Sequence, residues 1–433
     1  MTKNRIFHSI LLAAAVQAAV SLSSPAHAQE VTAAPVKGTD FDRTRTVPIL
    51  SRIPPGYEKN PIRIGSFVAS PRIEVDLSVI DNAYARPSDK QSNVGALIAP
   101  SVNIISDWSR HQLGLTADAT ILRSFTISSE NYTAYTVRAS GRYDISQALF
   151  VYGSVTRRRL AELRTDPGAI TNTVAPVISN VTEGTGRVTW SPGRLRLLAE
   201  TKYTDIRFDD FKFASGVQPA IGLNRTLWSV TGRADYAITP DLALVGVARR
   251  THQKFLDVAA VPQLDRTGNK TELQAGASFE LPDLIRGEVT LGYIDVSYNS
   301  PLFQKISGFG GRASVEYFAS RLTSFRLNAA RTVEESGNPQ FPQYVRSSVN
   351  LSVDHELYRD FVISAAAGYM HNRYYNPDRT QNRPTATLSA RWMINSRMSL
   401  AGRYDYVHVD TKPSGLGNNF SVNSVVLGLT LQL

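Results

Sequence analysis

The chain of 433 residues contains no cysteine, only four methionines and seven histidines, and no apolar run after its first 28 residues that could cross a membrane as a helix. The absence of cysteine excludes a disulfide scaffold. A spanning helix needs about 20 consecutive apolar residues, and the longest stretch outside the N-terminus, Phe361 to Met370, is far shorter. Helical periodicity is also missing after Gly65, so a helical bundle is excluded as well.

What is present begins with an export signal. Lys3 and Arg5 precede an apolar run from Ile10 to Val20, and the small-residue site Ala-His-Ala ends at Ala28. This reads as a secretory signal peptide over residues 1–28, cleaved before Gln29. The formal net charge is +10. Residues 1–28 carry two of the basic side chains and no acid, so the mature chain keeps +8. A basic excess favours acidic partners, and export turns that preference away from nucleic acid toward anionic solutes, polymers and lipids.

After a Pro-containing lead-in the chain alternates. In Ser424 to Leu433, Val425, Leu427, Leu429, Leu431 and Leu433 share one face, and Ser424, Val426, Gly428, Thr430 and Gln432 the other. Val345 to Asp354 does the same. Period-two alternation predicts strands. Tight breaks fall near Trp108, Ser146, Pro192, Pro240, Asp283, Ser320, Arg359 and Ser396, and each suits a short hairpin turn. Longer polar connections lie between them, notably those from Glu162 and from Asp257. A weak repeat runs through this pattern: Gly-Arg pairs begin at Gly141, Gly186, Gly232 and Gly311, the first two steps being 45 and 46 residues. Each copy is a strand running into a tight turn, with Tyr143, Trp190, Tyr236 and Tyr317 on its apolar face. Trp392 completes the set of aromatics expected at a membrane interface.

A soluble sandwich or propeller would turn the apolar face inward. A transmembrane barrel turns it toward lipid and lines its lumen with the polar face. The export signal, the alternation of short and long connections, the aromatic belt and the strand lengths all favour the barrel. The fold expected is therefore all-β: a transmembrane antiparallel up-and-down barrel of about 18 strands, with short periplasmic turns and longer extracellular loops. Its divisions are a signal peptide (1–28), a periplasmic N-terminal extension (29–64), read as an extended linker, and the barrel (65–433).

The opening segment Pro54 to Ala85 resembles the outer-membrane beta-barrel porin family of alphaproteobacteria. In that family a Pro-rich lead-in is followed by a Gly-Ser-Phe and Pro first strand and an Asp-Asn-aromatic ending, here Gly65, Ser66, Phe67, Pro71, Asp81 and Asn82. Ala83 displaces the aromatic to Tyr84, and the chain ends in Leu433 where many such barrels end in an aromatic. The resemblance extends over Pro54 to Leu433 and implies an outer-membrane channel, in a family often associated with exopolysaccharide or capsule secretion.

Parity places Arg138, Arg142, Arg158, Arg187, Arg196, Arg233, Arg312, Arg326, Arg346, Arg391 and Arg403 on the lumen face. Glu200, Asp235, Glu272, Glu280, Glu316, Asp354 and Asp405 share it. Two readings stay open: structural ladders of paired charge, and rings of guanidinium that favour anions. Phe150 and Tyr152 fall on the same face and suggest a local bulge. No histidine sits in a nucleophile or metal motif, the glycines at 308–311 read as a strand bend, and the Asn-x-Thr sites are coincidental in a bacterial barrel. No catalytic residue, metal or cofactor is expected. The function expected is passage of a hydrophilic, anionic solute, in particular export of a secreted polysaccharide with periplasmic export components as partners. A diffusion porin with anion preference and a surface receptor or adhesin are the alternatives.

Overall fold

The computed structural model describes residue 41 and residues 43–433 other than 171, 260, 337–342, 376 and 418. The expected signal peptide lies outside the described residues, as does the first part of the extension. Eighteen long strands follow. The first six are β1 (Phe67–Ile80), β2 (Asn93–Ser106), β3 (Gln112–Ser124), β4 (Tyr132–Asp144), β5 (Leu149–Ala161) and β6 (Ile178–Trp190). Next come β7 (Leu195–Phe208), β8 (Arg225–Thr239), β9 (Leu242–Phe255), β10 (Gly268–Leu281), β11 (Ile285–Tyr298) and β12 (Ile306–Ser320). The last six are β13 (Thr323–Glu335), β14 (Gln343–Tyr358), β15 (Phe361–Tyr375), β16 (Asp378–Met393), β17 (Met398–Lys412) and β18 (Phe420–Gln432).

Every strand pairs antiparallel with its chain neighbour, and β1 closes the ring on β18, with Arg72 opposite Gln432 and Ile80 opposite Ser424. Closure leaves no unpaired edge, which a wall in hydrocarbon requires. The motif that carries the family resemblance sits at this seam. The Asp81 carboxylate accepts from the backbone and side-chain nitrogens of Asn423 on β18, at 2.8 and 2.6 Å. Asn82, nearly fully buried, donates to the Ser421 carbonyl at 3.1 Å.

Burial runs opposite to that of a soluble protein. Leu427 is 62 % exposed and Leu77 57 %, whereas Asp235 and Glu280 are 0 % exposed. The apolar parity faces outward and the charged parity inward, as lipid outside and a polar lumen inside demand. No helix among the described residues is long and apolar enough to cross a membrane; the strands form the wall.

All eight expected short turns separate consecutive strands at one end of the barrel. At the other end longer loops fold over the rim. The 209–224 loop carries a small hairpin, Phe211–Phe213 with Gly216–Gln218. Around it Val177, Val181, Ile206, Phe208, Phe211, Ala220 and Leu223 form an apolar cluster. The extension read as a linker is ordered where it is described. Phe41 packs with Ala237 and Ala243, and Ile62–Ile64 pairs with the start of β1.

Candidate functional site

The inner wall carries chains of paired charge that arise because inward positions two residues apart, and directly opposite on the next strand, are neighbours. Asp235 on β8 lies between Arg196 on β7, at 3.0 Å, and Arg233, at 2.8 Å. Arg233 also holds Glu288 on β11 through both terminal nitrogens, at 2.9 and 2.6 Å. Glu200 accepts from Arg187 at 2.5 Å. Glu316 lies between Arg286 and Arg326, the latter at 2.6 Å. Three cations surround Glu272: Arg249 at 3.3 Å, and Lys270 and Arg312 at 3.6 Å. Arg403 pairs with Asp405, Arg142 with Asp144, and Arg158 more loosely with Glu183 at 3.7 Å.

Other inward guanidinium groups hydrogen-bond to neutral oxygens. Arg138 donates to the Tyr152 hydroxyl and Arg346 to the Tyr344 hydroxyl. Arg225 donates to the Leu223 carbonyl at 3.0 Å and Arg391 to that of Leu50 at 3.4 Å. The bulge suggested by Phe150 and Tyr152 is absent. Pairing of β4 with β5 is unbroken; Phe150 instead lies under Arg142, whose guanidinium carbon is 3.9 Å from the ring centroid. An arginine that stacks on an aromatic allows both to share an inward face. The 308–311 glycines likewise do not interrupt pairing of β11 with β12.

Inward cations absent from the sequence reading include Arg225, Arg249, Arg286 and Arg383. Arg249 ends an inward row of Ala243, Val245 and Val247, so β9 is apolar on both faces and its parity gives no signal. Arg383 belongs to a contact across the rim. The 162–177 loop reaches from between β5 and β6 to β16 on the far wall, where Arg383 approaches Asp166 at 3.9 Å and Thr165 at 3.5 Å. Ser336, beyond β13, meets the same loop at the Gly168 carbonyl, 3.5 Å away. From the 256–267 loop, Arg266 bonds the Gly222 carbonyl at 2.9 Å and Glu335 at 3.2 Å. Burial pulls the Arg266 pKa down, with Glu335 opposing. The 162–177 loop thus crosses the long-loop mouth, and the 256–267 loop is held to Gly222 and Glu335 at the same end.

Tyr143, Trp190, Tyr236, Tyr317 and Trp392 are all exposed on the outer wall toward the short-turn end. A second outer row, Tyr203, Trp228, Tyr293, Tyr369 and Tyr404, lies toward the other end. A shallow concavity of about 1000 Å³ lies on the outer wall, between Trp190, Leu197, Leu273 and Tyr293. His408 contacts Ser421 at 2.9 Å. That pair matches His355 with Thr323, His371 with Asn382 and His252 with Asn269, all ordinary cross-strand bonds. Among the described residues no cluster of three ligating side chains could hold a metal ion.

A closed barrel with an apolar exterior, two aromatic rows and a charged interior is a transmembrane β-barrel of the outer-membrane class. The chain belongs to the family described as putative beta-barrel porin 2, whose model matches residues 54–433. No curated protein matches it in sequence. Among solved structures it is similar to the outer membrane protein OpdK of Pseudomonas aeruginosa (11 % identity, 84 % of this chain and 99 % of that one, TM-score 0.46). It is also similar to OccAB4 of Acinetobacter baumannii (12 %, 87 % and 100 %, TM-score 0.46). The siderophore receptor PiuA of the same organism gives 9 %, 86 % and 82 %, with a TM-score of 0.44. Likenesses this distant leave the solute to be read from the residues of this chain.

Proposed function

We propose that the chain passes hydrophilic, anionic solute across the outer membrane, and that its specific role is export of a secreted acidic polysaccharide. The observation that carries the reading is the set Arg138, Arg225 and Arg391. These inward guanidinium groups form no ion pair among the described residues and bond only neutral oxygens. Guanidinium is permanently charged and presents a planar fork to carboxylates. The paired arginines build the wall, and the three without an ion pair supply the field that favours anions. Periplasmic export components and a signal peptide cleaved after Ala28 belong to the same proposal.

The test is single-channel conductance of the refolded protein in a planar bilayer, with reversal potential read under a salt gradient while an acidic oligosaccharide is titrated. Anion-selective current blocked by the oligosaccharide is expected, with selectivity reduced by Arg138→Gln and Arg391→Gln. Anion-selective current indifferent to the oligosaccharide would leave a general diffusion porin and sink the export role. No current in any condition would overturn the channel reading.

A further inference from the structure

Residues 43–52, Arg-Thr-Arg-Thr-Val-Pro-Ile-Leu-Ser-Arg, contain three arginines and no acid. They precede the family-matched residues 54–433, so their role is not given by the family. Their partners follow the inner wall at the short-turn mouth. Arg43 donates to the Pro240 carbonyl at 2.9 Å, and Arg45 reaches Asp241 at 2.8 Å and the Glu280 carbonyl at 2.9 Å. The Thr46 amide donates to the Glu280 carboxylate at 2.9 Å, and the Thr46 hydroxyl accepts from the Asp283 amide at 3.0 Å. Arg286, an inward residue of β11, donates to the carbonyls of Arg43 and Thr46, at 3.2 and 2.9 Å. Arg391 on β16 holds the Leu50 carbonyl, and Arg52 donates to that of Arg321. At the start, Phe41 is buried, with the Arg196 guanidinium 4.5 Å from its ring centroid.

We propose that residues 43–52 form an inner collar that sets the charge of the periplasmic mouth, with Arg45 as its specificity-determining residue. Glu280 is 0 % exposed, and Arg45 is its cationic partner within 4 Å among the described residues, at 3.7 Å. A carboxylate buried without a cation is costly, so the collar completes the wall as well as lining it. Replacing its arginines removes three positive charges from the mouth and leaves Asp241 and Glu280 without the collar's compensating cation. The mouth then favours cations. This inference rests on the channel reading proposed above.

The experiment compares reversal potentials under a salt gradient for the wild type, Arg45→Gln, the triple variant Arg43→Gln/Arg45→Gln/Arg52→Gln, and a deletion of residues 43–52. A graded shift toward cations is expected, smallest for Arg45→Gln, with Glu280→Gln added to the triple variant moving the potential back. The glutamine variants keep the collar's length and give a readout even where the deletion does not refold. A conducting wild type whose reversal potential is unchanged in Arg45→Gln and in the triple variant would overturn the collar alone. A wild type without current would overturn it together with the channel reading.

Discussion

Glu162 directly follows β5, and one of its carboxylate oxygens is sealed from solvent with no hydrogen-bond partner among the described residues. Lost hydration, then repulsion from Asp166, raises its pKa from an ordinary 4.5 to about 8, against a smaller opposing effect of Arg225. A carboxyl raised in the closed loop holds its proton longer there than in the open one. Below about pH 4.5 both forms are protonated and the loop loses nothing. Between that pH and about 8 the open form ionises first, so closure weakens as pH rises, and above 8 the cost is constant. The protection of the 162–177 loop amides relative to their intrinsic, base-catalysed exchange should therefore fall from pH 5 to 8, while Glu162→Gln flattens that profile; identical profiles would refute the assignment. Glu272 presents the converse case, a carboxylate surrounded by Arg249, Lys270 and Arg312. Glu272→Gln leaves three cations facing one another and should lower stability in denaturant by on the order of 2 kcal/mol, less than for a fully dry pair because Lys270 and Arg312 are partly hydrated.

At the scale of strands, β10 and β11 approach so closely that only glycine fits where they cross Gly276 and Gly292. A Cβ on Gly292 would lie 1.8 Å from the Leu273 carbonyl oxygen, and one on Gly276 equally close to that of Val289. Gly292→Ala should cost about 1–3 kcal/mol through forced separation of the pair, read as a lower denaturant midpoint of the barrel, with an unchanged midpoint counting against the close approach. Strands such as these were legible because their alternation is local. The final strand shows its apolar face from Val425 to Leu433, and the turns at Pro192, Pro240 and Asp283 announce themselves by residue type. Legibility failed where one face did not contrast with the other. Arg249 sits on a strand apolar on both sides, and Phe150 is admitted to the lumen by Arg142 stacking on it.

The two mouths of the molecule are assembled from contacts between residues far apart in the chain, and no period in the sequence encodes them. Arg391 meeting Leu50, and Arg383 meeting Asp166 and Thr165, join segments separated by hundreds of residues. For that reason the Pro-containing extension read as a linker, although part of it lines a mouth. The seam motif at Asp81 and Asn82 could be recognised from the family pattern, but its bonds to β18 appear only once the ring closes. The long-loop mouth is the better place to measure what this architecture does to flow. The 162–177 loop is tethered on its own side by Arg164 to Glu130, at 2.5 Å, and on the far side by Asp166 and Thr165 to Arg383. Replacing residues 165–170 by a short Gly-Ser linker removes the far tether and leaves the near one and the strands intact. If the loop constricts the lumen, single-channel conductance should rise while the folded barrel survives. Arg383→Gln alone should give a smaller rise, because it releases the Asp166 and Thr165 contacts but keeps the loop's bulk. Conductance unchanged in both variants would mean that the narrowest point lies elsewhere, at the collar or among the paired charges of the inner wall.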